Sequence, residues 1–206
     1  MKFRIGTLIL AAWMMAIAVA GADFEYRVSE PMFDGTRVVN AGTLPAEPAA
    51  FTVLTTLEAA IMRDGTYAFA VRKGTADGEL QWAFYRAGWN NRIGFYLNTR
   101  PKPIFIHAAP GMFAQKLHNV AATVADGQVK LYCDGKEVAA ASLSGYTYTP
   151  KVGTLLLGAE DRQGKNGFKG WIAEVKVLPR TMSPKEIEYA FGTPRRPSVK
   201  VFAVPM

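Results

Sequence analysis

The chain of 206 residues carries 24 Lys and Arg against 17 Asp and Glu, a formal charge of +7, and a single cysteine, Cys133. One cysteine excludes an intrachain disulfide framework, so the fold must be held by its core. Apart from Arg195-Arg196 the basic residues are scattered, which suggests weak attraction to anionic polymers or surfaces and argues against a dedicated nucleic-acid site.

Lys2 and Arg4 precede an uncharged apolar run from Ile5 to Ala20 that ends in small residues. This is the pattern of a secretory signal peptide over residues 1–22, with cleavage after Ala20 or Ala22. An uncleaved anchor is the alternative, since the run is near the lower length limit for a spanning helix. No later segment suits a bilayer, and no cysteine marks a lipoprotein cleavage point. Loss of the leader takes Lys and Arg from 24 to 22 and the formal charge from +7 to +5. The remainder, residues 23–206 or roughly 184 residues, fits one domain large enough for a single core without metal or disulfide staples.

Past the leader, short apolar segments alternate with clusters of Gly, Pro, Asn and Asp, which predicts an all-β sandwich. Strands are expected near Phe24–Val28, Thr36–Val39, Phe51–Leu57, Tyr67–Arg72, Leu80–Tyr85 and Arg92–Leu97. Six more are expected near Ile104–His107, His118–Val124, Gln128–Cys133, Lys136–Ser142, Thr154–Gly158 and Gly170–Val177. Asp126-Gly127 and Asp134-Gly135 have the composition of tight type I′ turns, so two hairpins follow one another. Between them Val129, Leu131 and Cys133 share one face while Lys130 and Tyr132 share the other. Cys133 is therefore expected to be buried as a small hydrophobe.

One helix is expected near the end. Ser183-Pro184-Lys185-Glu186 supplies an N-cap, a proline at the first helical position and a reciprocal glutamate, a full capping box. Gly192 offers a left-handed stop and Pro194 blocks continuation. Ile187 and Phe191, four apart, define the face that docks on the sandwich.

The stretches "LHNVAATVADGQVKLYCDGKEVAAASLSG" and "GTLLLGAEDRQGKNGFKGWIAEVKVLPRTMSPKEIEYAFG" resemble the second half of a laminin-G-like jelly roll. Upstream, Phe33-Asp34-Gly35, Phe51-Thr52-Val53 and Arg72-Lys73-Gly74 fit the opening turn, the following strand and the Lys-Gly turn of that family. The resemblance covers about Phe33 to Gly192. It implies a concanavalin A-like jelly roll of two antiparallel sheets with a short C-terminal helix. Three positions depart from it: in Leu117-His118-Asn119-Val120-Ala121 the family's tryptophan and one of its two histidines are lost, and Ala173 replaces an aspartate.

The fold hosts lectins, adhesion domains and hydrolases, so function must be read from side chains. The Glu-x-Asp-x-x-Glu strand expected of a laminarinase-type glycosidase is absent from the sequence, and Glu160-Asp161 is an adjacent pair on opposite faces of an extended chain. His107 and His118 lie in no nucleophile motif. His118 is expected to be a hydrogen-bonded structural residue. Zinc is not expected, because two histidines and one cysteine show no close ligand spacing. Calcium is the metal to consider, with Glu160, Asp161 and Asn166 as ligands.

Sugar rings stack on aromatic side chains while their hydroxyls bond to polar groups. The loop holding Arg86, Trp89, Asn90 and Asn91 has that mixture. If Leu80, Trp82 and Phe84 point inward, Tyr85 points outward, and the same parity sends Tyr96, Asn98 and Tyr132 to a concave face. Tyr146 and Tyr148 form a weaker group. The expectation is an exported, noncatalytic glycan- or glycoprotein-binding or adhesion module, secreted, periplasmic or at the cell surface. The alternatives are a divergent jelly-roll glycoside hydrolase or polysaccharide lyase, and a structural cell-surface domain that binds protein.

Overall fold

The computed structural model describes residues 22–61, 66–88, 91–112 and 116–190. The leader through Gly21, Trp89, Asn90, Phe191, Gly192 and Pro194 lie outside the described residues. The strands begin with β1 (Phe24–Arg27), β2 (Met32–Asp34), β3 (Val39–Leu44), β4 (Phe51–Ala59), β5 (Ala68–Gly74) and β6 (Leu80–Ala87). β7 (Arg92–Leu97), β8 (Thr99–Arg100), β9 (Ile104–His107), β10 (His118–Ala125) and β11 (Gln128–Cys133) follow. β12 (Lys136–Ser142), β13 (Thr147–Tyr148), β14 (Gly153–Leu157), β15 (Lys169–Leu178) and helix α1 (Pro184–Tyr189) complete the order.

Two antiparallel sheets stack as a sandwich. One has the order β1-β15-β4-β10-β11-β12 with β2 also paired to β15; the other is β3-β14-β5-β6-β7-β9, and β8 and β13 form a small ribbon. No described helix is long and apolar enough to cross a membrane. The strand expected at Thr36–Val39 starts instead at Val39. Asp34 Oδ1 accepts from the Thr36 amide and hydroxyl, each at 2.8 Å, and from the Arg37 amide at 3.1 Å, which holds this segment as a turn. Those bonds lower the Asp34 pKa to about 2.

The space between the sheets is filled by Phe51, Val53, Val120 and Leu131 from one side and Trp82, Phe84, Phe95 and Leu97 from the other. Each such side chain contributes roughly 1.5–3 kcal/mol by leaving water. Phe33 from the opening turn packs on Gly158, which has φ +87°; a Cβ there would lie 2.3 Å from the Phe33 ring. The core also contains a charge pair. Lys73 Nζ lies 2.7 Å from Glu47 Oε1, with side chains 0% and 4% exposed, and the same oxygen accepts the Trp82 indole N–H at 2.9 Å. The Tyr148 hydroxyl donates to Glu47 Oε2 at 3.2 Å, so this tyrosine serves the core.

Helix α1 starts as its sequence predicts. Ser183 Oγ accepts from the Glu186 amide at 3.3 Å, and Glu186 Oε2 accepts from the Ser183 amide at 2.7 Å. Ile187 and Met182 pack with Leu54, Ala121, Leu178 and Tyr132 on the outer face of the seven-stranded sheet. Tyr132, expected on an open concave face, is 4% exposed beneath the helix. The alternation of β11 is as expected, but its second face is covered.

Removing the cap by Ser183→Ala is expected to cost about 1 kcal/mol in urea unfolding. Glu47→Gln should cost more, about 3–5 kcal/mol in the same measurement, because the Lys73 ammonium stays buried without its carboxylate. Equal losses from the two substitutions would mean that the buried pair matters no more than a surface cap.

Candidate functional site

The outer face of the six-stranded sheet is aromatic because its strands alternate. On β6 Trp82 and Phe84 enter the core, so Tyr85 faces outward; on β9 Ile104 and Ile106 enter it, so Phe105 and His107 face outward. Register places these residues side by side: Tyr85 pairs with Gly94, Gly94 with His107, and Tyr96 with Phe105. A groove of about 390 Å³ results, within the usual range for small-ligand sites. Its aromatic lining is Tyr67, Phe69, Tyr85, Tyr96 and Phe105, joined by Leu80 and by Glu160, Lys165 and Asn166 from the loop before β15.

Tyr85 is the floor. It is only 2% exposed, while Tyr67 and Phe105 are 55% and 53% exposed at the rims. Phe105 meets Tyr96 edge-on at 5.1 Å between ring centroids and Tyr85 at 6.3 Å; Tyr67 lies 5.8 Å from Tyr85. The Tyr85 hydroxyl is 2.7 Å from His107 Nε2. Burial, reinforced by the charge of Arg92, lowers the His107 pKa, which favours the neutral ring beside the tyrosine. Burial also raises the Tyr85 pKa, which keeps that hydroxyl protonated. Gly94 gives the pair room, since a Cβ there would lie 2.8 Å from both side chains.

The groove unites two groups of candidates that the sequence kept apart: Tyr85 and Tyr96 from the sheet, and Glu160 and Asn166 from the loop considered for calcium. In that loop Asn166 Nδ2 donates to Glu160, Lys165 Nζ lies 3.2 Å from Glu160, and Asp161 Oδ1 accepts the amides of Gln163 and Lys165 at 3.0 Å each. These bonds shape the loop into a groove wall. The Phe69 amide donates to the Asn166 carbonyl at 3.0 Å, tying the wall to β5.

Other candidates stand elsewhere. Arg86 is fully buried and donates to the Asn91 side chain at 3.3 Å and to the Thr66 carbonyl at 3.4 Å, bracing the β6–β7 hairpin. It lies on the Trp82 and Phe84 side of β6, which turns it inward. Asn91 occupies a left-handed turn position, φ 46°. Asn98 donates to Glu79 at 2.7 Å outside the groove lining. Tyr132 is on the opposite sheet, and Trp89 and Asn90 lie outside the described residues. Leu80, expected inward, lines the groove because a register shift pairs Lys73 with Trp82 but Gly74 with Leu80. Tyr67, Phe69 and Phe105 are groove residues that the sequence reading missed, although the alternation of Ala68 and Ala70, and of Ile104 and Ile106, points each of them outward.

A family model described as Laminin_G_3, concanavalin A-like lectin/glucanases superfamily, matches residues 34–188. No curated protein matches the chain. Among solved structures, the heptameric SAP-like pentraxin of Limulus polyphemus aligns with TM-score 0.61 at 14% identity, covering 85% of this chain and 84% of that one. The CBM40 domain of a Ruminococcus gnavus IT-sialidase, bound to α2,3 sialyllactose, aligns at 0.55 and 17%, covering 84% and 100%. The ligand binding domain of botulinum neurotoxin serotype D, in complex with N-acetylneuraminic acid, aligns at 0.61 and 11%, covering 82% and 46%. At these identities the likeness is one of fold.

A histidine whose native pKa is depressed takes its proton less readily than in the unfolded chain, so stability falls as pH drops from the unfolded value toward the native one. His107→Gln is therefore expected to flatten the pH dependence of unfolding just below the ordinary histidine value of 6.5. An unchanged slope in acid titrations of both proteins would remove His107 as its source.

Proposed function

The chain belongs to the Laminin_G_3 family of the concanavalin A-like lectin/glucanases superfamily, and we propose that it is an exported carbohydrate-binding module that holds a glycan in the aromatic groove. The observation that carries the reading is the pairing of exposed Tyr67 and Phe105 across a buried tyrosine floor, beside polar Glu160, Lys165 and Asn166. Rigid rings offer faces for sugar C–H groups at low entropic cost, and the loop side chains offer partners for hydroxyls. Glu160 is the only carboxylate among the described groove residues. Glycosidase chemistry of the usual kind needs two flanking the bond, so the reading is of binding without cleavage. Export is supported by the basic and apolar pattern of residues 1–22.

Two of the fold relatives hold α2,3 sialyllactose and N-acetylneuraminic acid, and Lys165 is a cation on the wall that suits a sugar carboxylate. Sialylated glycans are accordingly the first class to test. A glycan array with sialylated, uronate-containing and neutral members is expected to show binding, with Phe105→Ala weakening it about tenfold, or about 1.4 kcal/mol. Thermal stability should change little because Phe105 is half exposed. No binding on the array would remove the reading, and full affinity in Phe105→Ala would move the site off this groove. A parallel measurement with chelator tests the calcium expectation: lost affinity would put a cation at the Glu160 loop.

A further inference from the structure

The β10–β11 hairpin assembles a second set of side chains on the other sheet. Val120 pairs with Cys133, so His118, two residues earlier on the same face, comes to the cysteine from across the ladder. Asp134 follows directly, in the left-handed first position of its turn at φ 48°. His118 Nδ1 lies 2.8 Å from Asp134 Oδ2 and 3.4 Å from Cys133 Sγ, and that sulfur lies 3.8 Å from the same oxygen. The sequence separation that reads against zinc is closed by the hairpin.

The arrangement does not suit a nucleophilic triad, in which the imidazole bridges acid and nucleophile through different nitrogens. Here both partners approach Nδ1. Three possible ligand atoms within 4.8 Å of one another are instead what a shared cation requires. Tetrahedral zinc, with bonds of about 2.0–2.3 Å, spaces its ligands roughly 3.3–3.6 Å apart, and the three observed distances straddle that range. We propose that His118, Cys133 and Asp134 form a three-ligand site for a divalent transition-metal ion of the zinc type.

The chemistry of the donors selects the ion. Thiolate and imidazole favour zinc-like ions over calcium or magnesium, which take oxygen ligands. The support is ordered: Asp134 Oδ1 accepts the Asn119 amide at 2.9 Å, and the Asp134 amide donates to the Asn119 carbonyl at 2.8 Å, fixing the carboxylate as outer-shell bonds do in metal sites. Gly135 abuts helix α1, where an added Cβ would lie 2.6 Å from Glu188 Cβ. Entry is from the Asp134 side, whose side chain is 43% exposed against 9% for His118. The site shares no residue with the groove, so its fate is separate from that of the glycan reading.

Metal-free full-length protein titrated with cobalt(II) tests the assignment. The expected result is one equivalent bound with a thiolate-to-cobalt charge-transfer band, erased by zinc, and a raised thermal midpoint with zinc. Cys133→Ser should abolish the band and weaken zinc at least tenfold, and His118→Gln should do likewise. Cobalt bound without that band, no binding, or zinc affinity unchanged in a folded Cys133→Ser protein would each overturn the site and leave a His118–Asp134 hydrogen bond beside a buried thiol.

Discussion

A slip of one residue in an antiparallel pair turns every side chain to the opposite face. The pairing of Trp82 with Leu97, Phe84 with Phe95 and Arg86 with Ile93 therefore decides which side of the six-stranded sheet is core and which is groove. The register is held from within by large rings that fit only between the sheets. Trp82 stacks on Phe95 at 6.5 Å, and its indole N–H is anchored to Glu47, whose carboxylate is in turn held by Lys73. Burying such a pair gains little by itself. Its consequence is positional, since Trp82 in any other register would leave Glu47 and Lys73 with fewer partners.

The same register places Arg86 indoors. A basic residue in a polar loop context reads as a surface group, yet it shares parity with Trp82 and Phe84, and its terminal nitrogens donate at the hairpin end to the Gly88 and Thr66 carbonyls and to Asn91. Tyr85, its neighbour, is driven to the other face by the same rule. The groove floor and the buried arginine are one constraint expressed on successive residues.

Local chemistry in the sequence is enough for the turns and the start of the helix. Asp126-Gly127 and Asp134-Gly135 take left-handed conformations, and Ser183 and Glu186 cap each other as the spacing requires. The alternation of short apolar segments with turn clusters points to a β sandwich, and the resemblance to laminin-G-like domains is what implies its concanavalin A-like architecture. Sheet membership did not, because alternation assigns a side chain to a face without naming the sheet. Tyr132 and Tyr96 have equivalent outward parity, but β11 lies beside β10 and β7 beside β6, so the two tyrosines end on different sheets. The cluster at His118 is legible only to one further step: the Asp126-Gly127 turn fixes the β10–β11 register, and that register, rather than linear spacing, brings His118 to Cys133.

Coverage then selects the open face. The outer surface of the seven-stranded sheet receives helix α1, whose Ile187 is fully buried with Leu54 and Tyr132. Thr52 helps seat that segment, its hydroxyl donating to the Arg180 carbonyl at 2.8 Å while accepting the Met182 amide at 3.0 Å. Among the described residues, the rings on the outer face of the six-stranded sheet are joined by the loop carrying Glu160, Lys165 and Asn166, and that loop forms a wall rather than a lid. An outer sheet face built from small or charged residues would be content in water. This one carries Tyr67 and Phe105 more than half exposed, and rings held apart across a groove keep apolar surface in contact with solvent that a stacked ligand would release.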